Sequence, residues 1–180
     1  MNEVIDQFHT WFYRSGCWKK THWLGVPCLK CPFDLWVYQQ ILFELRPALI
    51  VETGTYRGGT SLYLACLCDM LKFGEVVSVD LSPRKGRPKH ERLTYLKGSS
   101  TSEDVMKDIS RRAQAASGPV LCILDSDHSE AHVARELVCY APLVTPGSYL
   151  IVEDSNANGH PVLPNYGPGP WEAVQGFTAE

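Results

Sequence analysis

Continuous apolar runs and amphipathic stretches alternate along most of this chain of 180 residues. Runs rich in β-branched residues predict buried strands, and apolar residues at helical spacing predict helices. The predicted strands are Ala48–Val51, Val76–Val79, Leu93–Leu96, Pro119–Leu124 and Ser148–Val152. The predicted helices run from Asp34 to about Leu45, over Gly59–Phe73, onward from Ser102, from Ser129 to about Leu143, and onward from Pro170.

This alternation predicts an α/β fold with a three-layer, Rossmann-like, doubly wound and mainly parallel sheet. The continuous apolar character of the strands is typical of a sheet covered by helices on both faces. Residues 1–33 form an aromatic-rich arm before this domain, which takes up residues 34–180. The arm either covers a ligand crevice or packs against the core or a second copy, and we favour packing.

The first strand ends in the loop Glu52-Thr53-Gly54-Thr55-Tyr56-Arg57-Gly58, and a helical pattern follows it. A strand, a glycine loop and a helix in this order form a nucleotide-binding crevice. The loop has the form E-x-G-x-x-x-G and lacks the G-x-G-x-x-G of dinucleotide sites. It therefore favours S-adenosylmethionine (SAM) over NAD, with Glu52, Gly54, Thr55, Tyr56 and Gly58 as the candidate contacts.

Acidic residues follow four of the predicted strands, namely Glu52, Asp80, Asp125, Glu153 and Asp154. The carboxyl ends of parallel strands meet at one edge of a sheet, where ligands bind, so this pattern predicts a pocket for cationic groups. Asp80 can accept hydrogen bonds from both ribose hydroxyls. Ser99, which follows the third strand, is a candidate contact for adenine.

Asp125, Glu153 and Asp154 are the candidate metal ligands, because carboxylate oxygens on neighbouring strand ends suit Mg²⁺. A dication also removes the repulsion between unpaired carboxylates in one crevice. Two alternatives stay open at this point. Glu153 and Asp154 can instead cap a loop, and Asp127 can take the place of Asp125.

The composition excludes several classes of protein. A net charge of −3 argues against an electrostatic nucleic-acid binder, and the basic run from Arg84 to His90 is expected to be a solvated loop. No apolar stretch is long enough to span a membrane, and we expect no signal peptide. Seven cysteines without an export signal favour reduced thiols and a cytoplasmic location.

From Thr21 to Phe177 the chain resembles the cephalosporin hydroxylase family, which is similar to class I SAM-dependent methyltransferases and includes rhamnosyl O-methyltransferases. The resembling segments are Trp23–Pro27, Asp34–Gln39, Val51–Thr55, Leu124–His128 and Val152–Asp154. The resemblance implies a SAM site, a divalent metal site that usually holds Mg²⁺, and His128 as the general base. Sheets of this type usually continue into an antiparallel hairpin, so we expect the natural protein to extend beyond Glu180.

The sequence therefore predicts a SAM-dependent, metal-assisted O-methyltransferase that acts on a hydroxyl of a sugar or small polar natural product, and homo-oligomers are compatible with it. One alternative is a non-catalytic SAM-binding protein that assists a hydroxylase or methoxylation system. An NAD-dependent oxidoreductase would need the missing glycine motif.

Overall fold

The computed structural model describes residues 3–82 and 84–179. Its helices are α1 Glu3–Ser15, α2 Pro32–Leu45, α3 Gly59–Leu71, α4 Glu103–Ala115, α5 Glu130–Tyr140 and α6 Pro170–Ala179. Its strands are β1 His22–Trp23, β2 Val26–Pro27, β3 Leu49–Thr53, β4 Glu75–Asp80, β5 Leu93–Lys97, β6 Val120–Leu124 and β7 Leu150–Val152.

Five strands form the main sheet in the order β5-β4-β3-β6-β7, and every neighbouring pair is parallel. The chain moves outward from β3 to β5 and then returns to the other side of β3 at β6. The direction of winding therefore reverses between β3 and β6, and ligands of such sheets bind beyond the carboxyl ends of the strands at this point.

Two hydrophobic cores cover the two faces of the sheet. On one face Val51, Val77 and Cys122 pack with Val105 of α4 and Leu137 of α5. On the other face, Ile50, Val76 and Ile123 pack with Leu42 of α2 and Leu64 of α3. Successive residues of a strand point to opposite faces, so both faces of β3 are buried and the three-layer α/β prediction is confirmed.

Several helix ends differ from the prediction by a few residues. The helix α2 begins at Pro32 with Cys31 at its N-cap position, so Asp34 lies in the first turn and is not the cap. Proline is favoured there because the first helical turn needs no hydrogen bond from its N–H. The helix α3 ends at Leu71, because Lys72 adopts a left-handed conformation with φ of 55°.

The N-terminal arm contains elements that were not predicted. The helix α1 is followed by a 3-10 helix, Cys17–Lys20, and by the two-stranded antiparallel hairpin of β1 and β2. None of the helices in the described ranges is both long and apolar enough to cross a membrane.

Gly54 allows the ends of β3 and β6 to approach each other. Its φ is +86°, and a Cβ atom at this position would lie 1.8 Å from the backbone oxygen of Asp125. A clash with backbone can be relieved only by moving the strand end. The glycine of this loop is therefore required by the packing of the sheet at its point of reversal.

A comparison of two alanine substitutions tests this requirement. Gly147 has nearly the same φ, +85°, but nothing lies within 4 Å of its added Cβ. Gly147→Ala should therefore lower the free energy of unfolding only by the cost of placing alanine in a left-handed conformation, roughly 1–2 kcal/mol. Gly54→Ala should lower the free energy of unfolding by about 4 kcal/mol or more, because a clash with the backbone is added to the same cost. Urea unfolding followed by circular dichroism measures both, and equal losses would show that the strand ends adjust freely.

Candidate active site

A crevice of about 720 Å³ opens at the carboxyl ends of the parallel strands. The loops that follow all five strands line it, as does the N-terminal arm. Nine of the predicted site residues line this crevice: Gly54, Thr55, Tyr56, Asp80, Ser99, Asp125, His128, Glu153 and Asp154. Two others, Glu52 and Gly58, are not among the lining residues.

Glu52 lies beneath the crevice wall. It shares a face of β3 with Ile50 and therefore points toward α3, where it is 1% exposed. Its Oε2 atom accepts hydrogen bonds from Ser61 and, at 2.5 Å, from Ser78. Burial raises the pKa of Glu52 despite these hydrogen bonds. In this arrangement Glu52 interacts with the sheet and with α3.

Gly58 also has close neighbours inside the protein. Its φ is +84°, and an added Cβ would lie 2.8 Å from the hydroxyl of Tyr95 and 3.0 Å from Cδ of Pro88. These two residues belong to β5 and to the loop before it. The second glycine of the motif therefore makes room for this loop.

Asp80 lines the crevice, but both of its carboxylate oxygens already accept hydrogen bonds. Oδ2 accepts from the backbone N–H of Tyr56 at 2.8 Å and from Nη2 of Arg87 at 2.7 Å, and Oδ1 accepts from the N–H of Ser82 at 2.9 Å. Arg87 is 8% exposed, so one residue of the basic run is buried against Asp80 and is not solvated as predicted. A ribose at this position would share these oxygens with the protein.

The remaining predicted SAM contacts border the same half of the crevice. The hydroxyl of Thr55 lies 2.7 Å from that of Ser78, which places Thr55 against β4. The ring of Tyr56 is 41% exposed and faces the guanidinium of Arg84 at 4.8 Å. The hydroxyl of Ser99 has two long contacts, each of 3.4 Å, one with the hydroxyl of Thr101 and one with the backbone N–H of Thr101. The hydroxyl of Ser99 is therefore weakly engaged in the structure.

A buried lysine joins the two strand ends that carry the predicted metal ligands. Nζ of Lys30 lies 2.7 Å from Oδ2 of Asp125 and 2.9 Å from Oε1 of Glu153. Lys30 is 5% exposed, and the Tyr38 hydroxyl donates a hydrogen bond to the same oxygen of Glu153. Neither Lys30 nor Tyr38 was predicted as a site residue, because both precede the first strand of the sheet.

The pKa directions of this cluster reflect competition between burial and Coulomb attraction. Burial would raise the pKa of Glu153, but Lys30 and the Tyr38 hydroxyl outweigh it and lower the pKa. The pKa of Asp125 is raised, because burial and the negative charges of Glu153 and Asp154 outweigh the attraction of Lys30. Lys30 keeps its proton, since the two carboxylates raise its pKa well above the ordinary value. A single ammonium is therefore the shared counter-ion of two buried carboxylates.

Asp125, His128 and Asp154 form the candidate metal group. One ligand atom from each residue lies within 4.8 Å of the others, and among residues 3–82 and 84–179 no second group of this kind was found. Nε2 of His128 lies 3.2 Å from Oδ2 of Asp154. Two carboxylates and an imidazole form a donor set that fits a divalent cation. Glu153 is outside this group and faces Lys30.

Asp127 has a different role from Asp125. Its Oδ1 atom accepts hydrogen bonds from the backbone N–H of Ser129 at 2.8 Å and from the Ser129 hydroxyl at 2.5 Å. These bonds lower the pKa of Asp127 and shape the turn that leads into α5. Of the two aspartates that the sequence left open, Asp125 is the one that the structure brings next to Asp154 and His128.

A buried glutamate lies behind the part of the crevice that Ser100 and Ser126 line. Glu136 of α5 is 0% exposed, and its Oε1 atom accepts a hydrogen bond from Ser126 at 2.7 Å. Nε2 of His132 lies 3.5 Å from the same oxygen and 3.1 Å from the hydroxyl of Ser100. The structure thus engages Nε2 of His132 with these two partners. Its i, i+4 spacing to Glu136 on one helix is the sequence signal for this pair.

The N-terminal arm forms part of the wall of the crevice. His9, Phe12 and Tyr13 of α1 line it together with Trp18. Both alternatives for the arm are therefore met in part: Phe12, Tyr13 and Trp18 line the crevice, whereas Trp23 packs on Tyr63 of the core with ring centroids 4.8 Å apart. Tyr166 also lines the crevice, whereas Trp171 stacks on His160 outside it, with ring centroids 4.9 Å apart.

The family model and the curated relatives that this chain matches share the description rhamnosyl O-methyltransferase. Residues 15–180 match a family model described as rhamnosyl O-methyltransferase/CmcI. A curated rhamnosyl O-methyltransferase of Mycobacterium tuberculosis is 41% identical over 183 residues, which cover 98% of this chain and 74% of that protein. The rhamnosyl O-methyltransferase of Mycobacterium leprae is 39% identical over 184 residues, which cover 99% of this chain and 80% of that protein.

Solved structures match the fold. A CmcI structure with SAH has a TM-score of 0.58 and 26% identity, and the match covers 74% of this chain and 66% of that one. An apo CmcI structure has a TM-score of 0.69 and 23% identity, and covers 89% of this chain and 66% of that one. MycE from the mycinamycin pathway, in complex with Mg and SAH, has a TM-score of 0.56 and 18% identity over 97% of this chain and 49% of that one. At these identities the apo CmcI and MycE matches establish the fold alone.

The raised pKa of Glu52 predicts how a substitution changes stability with pH. A buried acid with a raised pKa binds more protons in the folded than in the unfolded state, so its favourable contribution is complete below the unfolded pKa and is lost as pH rises through the folded pKa. Glu52→Gln removes the ionisable group, and with it this loss of stability at higher pH. The free energy of unfolding of the variant, relative to the unaltered protein, should therefore increase as the pH rises above about 4.5. Urea unfolding at pH 4.5 and 7.5 measures the difference, and a value independent of pH would contradict the prediction.

Proposed function

The chain belongs to the rhamnosyl O-methyltransferase/CmcI family, as its sequence predicted, and we propose that it transfers the methyl group of SAM to a hydroxyl of a rhamnosyl sugar with the help of a divalent cation. The relatives that support the acceptor are named rhamnosyl O-methyltransferases and align with nearly the whole chain. SAM and Mg²⁺ are supported by the resemblance stated above. A solved CmcI structure that is 26% identical to this chain contains SAH.

The observation that carries the proposal is the convergence of Asp125, His128 and Asp154 at the mouth of the crevice that the glycine loop borders. Their ligand atoms come from the ends of β6 and β7, next to the point where the sheet reverses. A cofactor along the glycine loop and an acceptor above these residues would therefore meet in one cavity.

We propose Asp125 and Asp154 as metal ligands, with Glu153 as a further ligand where Lys30 releases it. A bound divalent cation would lower the pKa of a coordinated hydroxyl, as it lowers that of coordinated water. Asp154 has a left-handed backbone with φ of 54°, which aims its carboxylate toward His128 instead of continuing the strand. Aspartate tolerates this conformation better than most residues.

His128 is the proposed general base. Its Nε2 lies 3.2 Å from Oδ2 of Asp154, so a carboxylate is placed to stabilise the imidazolium that forms when His128 takes the acceptor proton. His128 is 31% exposed and can pass that proton to solvent after the reaction. Its neighbour Asp127 is engaged with Ser129 and leaves this role to Asp154.

The SAM half of the crevice is proposed to include Gly54, Thr55, Tyr56, Asp80 and Ser99. SAM supplies an activated methyl group, so the protein has chiefly to orient donor and acceptor. Asp80 is fixed by Arg87 and by the N–H of Tyr56, which orients its carboxylate along the crevice wall. Glu52 and Gly58 support the loop from behind.

The acceptor half combines aromatic and acidic side chains. Phe12, Tyr13 and Trp18 line the same crevice as Asp125 and Asp154. Aromatic faces pack against the apolar faces of sugar rings, and carboxylates accept from sugar hydroxyls. We therefore propose that the N-terminal arm binds the sugar and orients one hydroxyl toward His128.

We further propose that the reaction takes place in the cytoplasm. All seven cysteines are free thiols in the structure, and Cys28, Cys68 and Cys122 are buried. Free cysteines are typical of proteins in a reducing compartment.

Methyl transfer from radiolabelled SAM to a rhamnosyl glycoside tests the function. The unaltered protein should label the glycoside, and EDTA should remove the labelling. Asp154→Asn should lower kcat by about 10²-fold or more, since it removes a proposed ligand and the partner of the base. Asp104→Asn, an exposed position in α4, is the matched control and should retain full activity.

Labelling that is unaffected by EDTA would contradict the metal role. SAM binding in calorimetry without labelling of any glycoside tested would instead favour a non-catalytic SAM-binding protein.

His128→Asn separates a base from a ligand. A general base contributes about 10²–10⁴-fold, so kcat should fall by at least 10²-fold while the affinity for Mn²⁺ changes less than about threefold. His22→Asn, an exposed histidine bonded only to the backbone oxygen of Lys20, is the control. Electron paramagnetic resonance measures Mn²⁺ binding, and a parallel loss of affinity would identify His128 as a ligand.

A further inference from the structure

Lys30 occupies the position in which a cation would be expected between Asp125 and Glu153. Its Nζ atom contacts both carboxylates at 2.7 and 2.9 Å and is 5% exposed. Each carboxylate belongs to a different strand end, so the contact joins β6 to β7 at the rim of the crevice. Lys30 itself comes from neither strand, but from the segment between the β1–β2 hairpin and α2.

The backbone around Lys30 is held tightly in place. A Cβ atom on Gly59 would lie 2.1 Å from the oxygen of Pro27 and 2.7 Å from Cα of Cys28, so this segment packs directly on the first turn of α3. Cys28 is 1% exposed, and its backbone oxygen accepts from the N–H of Lys30 at 2.9 Å. The lysine therefore cannot leave the carboxylates by a simple movement of a loose loop.

A positive charge so close to two proposed ligands must affect the binding of a dication. Like charges a few ångströms apart in a protein repel strongly, and a carboxylate oxygen already bound to an ammonium is less available to a metal. The same ammonium offsets the repulsion between Asp125 and Glu153 when no metal is bound.

We infer that Lys30 is an internal competitor of the divalent cation: it weakens metal binding at Asp125 and Glu153, and it keeps the two carboxylates in place when the metal is absent. This inference rests on the proposed function for the presence of a metal, but it concerns affinity and not turnover. Lys30 is thus a positioning residue that acts through the two carboxylates.

Mn²⁺ binding by purified variants tests the inference without SAM or acceptor. Lys30→Met removes the charge and keeps the length of the side chain, and should bind Mn²⁺ at least about tenfold more tightly. Lys30→Arg keeps the charge and should stay within about twofold of the unaltered protein. Lys107→Met, at an exposed position in α4, removes a distant charge and should also stay within about twofold.

Thermal unfolding provides a second measurement. Without metal, Lys30→Met should unfold at a lower temperature, because two buried carboxylates lose their counter-ion. Added Mn²⁺ should raise this temperature more than it does for the unaltered protein. Lys30→Gln, whose amide still donates hydrogen bonds, is the second variant if Lys30→Met does not fold, and should also bind Mn²⁺ more tightly.

A folded Lys30→Met or Lys30→Gln that binds Mn²⁺ no more tightly than the unaltered protein would overturn the inference. A purely structural lysine would give that result, since its loss can only disturb the site. If neither the unaltered protein nor any variant binds Mn²⁺, the metal part of the proposed function fails together with the inference. Tight, Lys30-dependent Mn²⁺ binding without methyl transfer would leave the inference standing and overturn the proposed function alone.

Discussion

The contact of one buried ammonium with two carboxylates offsets part of the negative charge on which the site depends. Parallel strands bring their carboxyl ends to one edge, and in this chain β6 and β7 both end in acidic residues there. Without a counter-charge, Asp125 and Glu153 would repel each other in a buried setting. Lys30 supplies that charge, and its position depends on the packing of the preceding segment against Gly59. The sheet, the segment before α2 and the first turn of α3 are therefore parts of the same site.

Most of the fold follows from local patterns in the sequence. The strand predictions overlap all five strands of the main sheet, because a strand buried on both faces needs a continuous apolar run, as in Val120–Leu124. The errors lie at helix ends, where single residues decide the outcome. Lys72 takes a left-handed conformation that ends α3 before Phe73, and nothing in its residue type predicts this. The elements of the N-terminal arm were not predicted; its helix α1 forms part of the crevice wall and has no fully buried residues.

The candidate site was predictable where it depends on topology and unpredictable where it depends on distant pairs. Acidic residues at strand ends were expected at one rim, and Asp125 and Asp154 lie there. The alternation of side chains along β3 already places Glu52 on the face of Ile50, away from the crevice. The pairing of Lys30 with Asp125 spans 95 residues, and the contact of Arg87 with Asp80 depends on the path of a loop. Local periodicity contains no information about either contact.

The left-handed backbone of Asp154, with φ of 54°, limits what evolution can place there. Short polar side chains and glycine tolerate this region, whereas β-branched and bulky side chains are strained in it. Substitutions at this position are thus confined to a few residue types even in a homologue that has lost catalytic activity. An aspartate kept at this position in distant homologues would therefore reflect the backbone conformation as well as selection for catalysis. Only an exchange of aspartate for asparagine or glycine, which keep the backbone conformation without the carboxylate, separates these two constraints.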